Sequence, residues 1–143
     1  MKRNRVRFHI HPFAAAGLFL LFAAMPRAYA FAAVSSVLLH EAGHMTAALL
    51  LDKRVTEIRL MPVGISIGLS AAASYREEFL IAAAGPFMSL LYAGAAFFWM
   101  PQEIGASVCS LSLSLAVLNL LPLKTLDGGR MAGALLSQLF GEE

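Results

Sequence analysis

Between Ala28 and Leu51 runs an apolar stretch of membrane length that nevertheless carries His40, Glu41 and His44. A helix needs roughly 20 apolar residues to cross the hydrocarbon core, and this stretch supplies them. Helix geometry sets side chains four residues apart on nearly the same face, about one turn along the axis, so His40 and His44 point the same way. Two neutral imidazoles so placed can grip one zinc ion. Glu41, one residue along, can swing its carboxylate toward a water beside that ion, which is the His-Glu-x-x-His arrangement of zinc hydrolases. Two histidines and a glutamate inside an apolar run cost several kcal/mol on insertion scales unless something compensates, and a metal does so.

The rest of the chain fits a membrane setting. Its 143 residues are 59% hydrophobic with a mean hydropathy of +0.70, too apolar for an ordinary soluble domain. A net charge of +2 gives no argument for nucleic acid, and the basic residues read better as topology signals. Cys109 is the only cysteine, which excludes an intrachain disulfide.

In chain order, Lys2, Arg3, Arg5 and Arg7 precede an apolar run from Phe8 to Met25, read as a first span. Ala28-Tyr29-Ala30 matches a signal-peptidase pattern, yet the run is long enough to span and alanine is common here, so an uncleaved helix is preferred. His9 and His11 sit at this basic boundary, where headgroup contact is the expected role. The second span, 28–51, is followed by a β-hairpin over 53–70. Met61-Pro62-Val63-Gly64 forms its turn, and Ile65, Ile67 and Leu69 alternate with Ser66, Gly68 and Ser70. A third span covers 79–100, and a packing face is sufficient for Gly85 and Ser89. A fourth begins near Ile104, with Ser107, Ser110 and Ser114 as interhelical glue. Pro122, Gly128 and Gly129 predict irregular backbone after it, tolerated at membrane depth only beside a cavity, and Asp127 is the one carboxylate there. That carboxylate is either functional or a cap for the Gly-Gly turn. Met131 to Phe140 reads as an interfacial helix. The expected fold is an all-α membrane bundle of about four transmembrane helices, with a small β-hairpin between the second and third.

Lysines and arginines number four before the first span, one after it, four between the second and third, none after the third and two after the fourth. Positive charge stays on the cytoplasmic side, so both termini and the hairpin face the cytoplasm. The second and fourth spans then both descend toward it, which places His40, His44 and Asp127 in the same half of the bilayer. A third ligand is therefore available at the right depth.

His40-Glu41-Ala42-Gly43-His44, Ala84-Gly85-Pro86, Asn119-Leu-Leu-Pro122 and Leu126-Asp127-Gly128-Gly129-Arg130 occur in that order. Over roughly residues 35–132 the chain resembles the site-2 protease family of intramembrane zinc metalloproteases, in particular the bacterial sporulation branch that processes a membrane-tethered sigma-factor precursor. The resemblance implies His40, His44 and Asp127 as zinc ligands, Glu41 as general base, and Asn119 as a residue beside the site that orients substrate or supports the oxyanion. Ser89 stands where many members carry asparagine, and no nucleotide-sensing domain follows Asp127. The implied whole is a single membrane-embedded metalloprotease core over 1–143 in the bacterial cell membrane, with one zinc ion. Its partners would be a membrane-tethered protein substrate, the lipid bilayer and regulatory membrane proteins. The rival is a non-catalytic scaffold or inhibitor that keeps the fold, and an intact Glu41 disfavours it.

Overall fold

Proline has no amide proton to lose, so it is tolerated at a helix start, and Pro12, Pro26 and Pro101 each stand at or just before one. The computed structural model describes residues 7–10, 12–53, 55–61, 64–69 and 73–141. In chain order these form β1 (Arg7–Ile10), α1 (Pro12–Ala24), α2 (Arg27–Leu50), β2 (Val55–Met61), β3 (Gly64–Leu69), α3 (Tyr75–Trp99), α4 (Gln102–Asn119) and α5 (Asp127–Phe140). α2 closes through Asp52 in the left-handed region, φ 55°, which lets the Lys53 amide reach the Ala48 carbonyl at 2.9 Å. α3 opens with a capping box: the Ser74 amide donates to Glu77 Oε2 at 2.7 Å, and Ser74 Oγ accepts from the Glu77 amide.

α3 is the hub, packing against α2, α4 and α5, while α2 also meets α4. The buried contacts are small: Ala30, Ala32, Ala48, Ala82, Ala93, Ala96 and Ala116 lie inside, with Val108 the bulkiest fully buried side chain. Small residues let helix axes approach closely where lipid offers no hydrophobic drive to pack large ones. The large apolar side chains point outward instead, with Leu50, Phe97, Phe98 and Trp99 all more than two-thirds exposed. A surface of that kind suits lipid rather than water.

Among the described residues one helix, Tyr75–Trp99, is long and apolar enough to cross a membrane by length and composition. α2, with 24 residues, is of similar length, but His40, Glu41 and His44 interrupt its apolar run. The first span, expected over 8–25, has its helix over Pro12–Ala24 only. Residues 7–10 form a strand paired in parallel with β2, and the helix that follows has 13 residues, a rise of about 20 Å. β2 and β3 pair antiparallel with a bulge at Val55/Glu57, so the sheet has three strands in the order β1-β2-β3. Met61 partners Gly64 across the ladder, and the turn residues Pro62 and Val63 lie outside the described residues, as do Ser70 and His11. His9 meets Glu57 Oε1 at 3.2 Å across β1 and β2 with its side chain still largely exposed.

Two further expectations change. Ser107 and Ser110 turn back onto carbonyls of their own helix, those of Glu103 and Ser107, and Ser114 is exposed. The interhelical bonds come from other hydroxyls: Ser36 meets Ser112 at 2.7 Å between α2 and α4, and Tyr92 donates to Ser35 between α3 and α2. Ser36→Ala strands a buried hydroxyl on Ser112 and is expected to cost about 0.6–1.7 kcal/mol in a membrane-mimetic unfolding assay. Adding Ser112→Ala should restore part of that loss. Gly128 and Gly129 sit inside the first turn of α5 rather than in irregular chain. A Cβ on either would strike the backbone of Leu120, Leu121 or Leu123, so these glycines serve close approach. The irregular segment is 120–126.

Candidate metal centre

Three atoms from two helices meet at one point. His40 Nε2 and His44 Nε2 lie 3.1 Å apart on α2, and Asp127 Oδ2, from the first turn of α5, stands 3.1 Å from the former and 3.2 Å from the latter. All three residues are buried. The pairing of the histidines follows from their four-residue spacing, and Asp127 arrives because the chain breaks at Pro122 and restarts as α5 one short turn later.

Each group is held from behind. His44 Nδ1 donates to the Ile81 carbonyl at 2.7 Å, and His40 Nδ1 lies 3.0 Å from Ser89 Oγ. Arg130 Nη1 stands 3.6 Å from Asp127 Oδ1 while its Nε donates to Glu78 Oε1 at 2.9 Å, so one carboxylate oxygen of Asp127 faces the arginine and the other faces the imidazoles. Pro86 lacks the amide proton that the Ala82 carbonyl, next to Ile81, would accept in a regular helix. Gly85 carries no side chain toward the cluster; a Cβ there would collide with His44 Nε2 and lie 2.9 Å from His40 Nε2.

These atoms fit a metal. Because His44 Nδ1 donates its proton to a carbonyl, the neutral ring leaves a lone pair on Nε2. That lone pair, a carboxylate oxygen and a second imidazole nitrogen repel one another at 3.1–3.2 Å unless positive charge lies among them. One shared proton bridges a single pair, whereas an ion serves all three. Tetrahedral zinc, about 2.0–2.1 Å from nitrogen or oxygen ligands, sets those ligands roughly 3.3 Å apart. The observed separations are close to that figure, and the bare backbone of Gly85 leaves the space a side chain would fill.

Glu41, half-buried and already engaged with neighbouring groups, follows His40 on α2. Asn119 ends α4 and donates through Nδ2 to the Leu115 carbonyl of its own helix at 3.0 Å. Sequence reasoning gave no place to the Ile81 carbonyl or to the Arg130–Glu78 pair, and it treated Gly85 and Ser89 as packing. The four-residue steps Ile81, Gly85, Ser89 were the available signal, since they form one stripe of α3 facing the histidines.

A His-Glu-x-x-His helix met by a carboxylate from a second helix, in a bundle with its large apolar side chains outward, has the architecture of a membrane-embedded metallohydrolase. The family model described as Peptidase M50B-like matches residues 13–135, and the chain belongs to this site-2 protease family of zinc metalloproteases. It is similar to Stage IV sporulation protein FB of Bacillus subtilis, 30% identical over 144 residues, covering 93% of this chain and 49% of that protein. It is also 30% identical over 115 residues to Zinc metalloprotease MJ0392 of Methanocaldococcus jannaschii, covering 74% of this chain and 33% of that one. The chain thus spans half or less of the curated relatives it matches. The fold resembles that of a site-2 protease from Methanocaldococcus jannaschii, with a TM-score of 0.74 at 23% identity over 92% of this chain and 67% of the other.

Proposed function

We propose that the chain is the membrane-embedded core, residues 1–143, of an intramembrane zinc metalloprotease that cuts a membrane-tethered protein near the cytoplasmic face. About four spans would cross the bilayer with both termini in the cytoplasm, as the placement of lysine and arginine favours. The observation that carries the reading is the meeting of His40 Nε2, His44 Nε2 and Asp127 Oδ2 within 3.2 Å of one another.

His40, His44 and Asp127 would hold the zinc. Zinc held there supplies Lewis acidity to the scissile carbonyl and to water. Glu41 takes the proton from the attacking water on its carboxylate and returns it to the leaving amine nitrogen. Asn119, at the end of α4, would orient the substrate or support the oxyanion once its amide leaves the Leu115 carbonyl. Substrate must leave its helical form near the cut, because a helix encloses its carbonyls in hydrogen bonds. β3 is an outer strand of the sheet among the described residues, and it offers an edge to which an unwound segment can add. The family resemblance favours a membrane-tethered transcription-factor precursor as substrate and regulatory membrane proteins as further partners, and the name Stage IV sporulation protein FB is in keeping with a role in sporulation.

The test is cleavage of membrane-tethered transcription-factor precursors co-expressed with the chain. Purified protein in lipid nanodiscs should cut the same substrate, lose that activity to a zinc chelator, and regain it on adding zinc. Cleavage that persists after zinc is stripped to below stoichiometric traces contradicts the proposal.

A further inference from the structure

Ile81, Gly85 and Ser89 follow one another at four-residue steps, so α3 turns a single stripe toward the two histidines. Along that stripe a backbone carbonyl takes the outer proton of His44, a missing side chain leaves room, and a hydroxyl meets the outer nitrogen of His40. Resting on the zinc reading above, we propose that Ser89 is the positioning residue for His40, fixing its tautomer and ring angle so that Nε2 presents a lone pair to the metal.

The imidazole has one proton to place when neutral. On Nδ1 it is donated to Ser89 Oγ, 3.0 Å away, and Nε2 is free to bind. On Nε2 it points at Asp127 Oδ2, 3.1 Å away, and both atoms are lost to the ion. An ion on Nε2 requires the ring proton to lie on Nδ1, and Ser89, fully buried where no water can take its place, is the group there to accept it. Ser89 Oγ is the partner recorded for His40 Nδ1, and among the described residues no buried side-chain polar atom is left without one. Outer hydrogen bonds of this kind orient metal-binding histidines and set their basicity.

The experiment titrates zinc against a competing chelator into the metal-free full chain in nanodiscs, and records the visible absorption of the cobalt(II)-loaded form. It compares wild type, Ser89→Ala, which is close to isosteric, and Ser89→Thr, which keeps the hydroxyl. Ser89→Ala should bind zinc about 10–100-fold more weakly with altered cobalt bands, while Ser89→Thr recovers most of the affinity. Thermal stability of the metal-free form should fall by no more than one lost buried hydrogen bond accounts for, with the helical fold retained. Wild-type affinity and bands in Ser89→Ala overturn the inference, as does equal weakening in both variants, which marks a packing role. A wild type that takes up no zinc instead contradicts the functional reading on which the inference rests.

Discussion

Glu41→Gln is expected to keep one zinc per chain and to lower cleavage of a co-expressed substrate about 10²–10⁴-fold, the range general acid–base groups contribute. Glutamine matches glutamate in shape, so α2 and the facing pair of histidines should be undisturbed. What it lacks is an oxygen basic enough to accept a proton. Glu41 is one position on from His40, turned about 100° around α2, which keeps it out of the three-atom cluster. Metal analysis and a cleavage blot on the same preparation read both halves. Loss of zinc together with activity would show Glu41 acting as a ligand or scaffold, and full activity would remove it from the mechanism.

Gly85→Ala should abolish metal binding while leaving the helices intact. A methyl group there collides with His44 Nε2 and sits 2.9 Å from His40 Nε2, in the space among the ligand atoms. Helix α3 cannot retreat freely from α2, because α4 and α5 pack against it as well. Alanine is the better helix former by about 1 kcal/mol, so helical content by circular dichroism should hold or rise. Zinc uptake should fall by at least about 100-fold, equivalent to loss of a ligand's geometry. Normal zinc binding in this variant would show that the ion approaches from elsewhere.

Gly85 also shows why part of this site was legible in the sequence and part was not. His40, Glu41 and His44 announce themselves because helical spacing alone puts both imidazoles on one face. Asp127 needed more: only the expected topology set it at the depth of the histidines, and only the family resemblance suggested its role. The groups behind the ligands lie on α3, which is apolar on every face beyond Glu78, so the four-residue stripe of Ile81, Gly85 and Ser89 does not stand out by polarity. That hid the Ile81 carbonyl, the bare Gly85 and the hydroxyl of Ser89. The Arg130–Glu78 pair joins residues 52 apart in sequence, and only folding brings them together. In the same way Phe8 to Ile10 read as the start of a span because strand and helix both tolerate a short apolar run. Pro12 set the boundary, and pairing with β2 decided the outcome. Ser107 and Ser110 misled because a hydroxyl in a membrane helix can bond its own turn as readily as a neighbour.

Zinc K-edge X-ray absorption on the metal-loaded chain probes the proposed ligands most directly. Two imidazoles and oxygen at about 2.0–2.1 Å, with the spectrum changed and affinity lost in Asp127→Ala, is the predicted result. A sulfur shell from Cys109, or a spectrum indifferent to the loss of the Asp127 carboxylate, would contradict it.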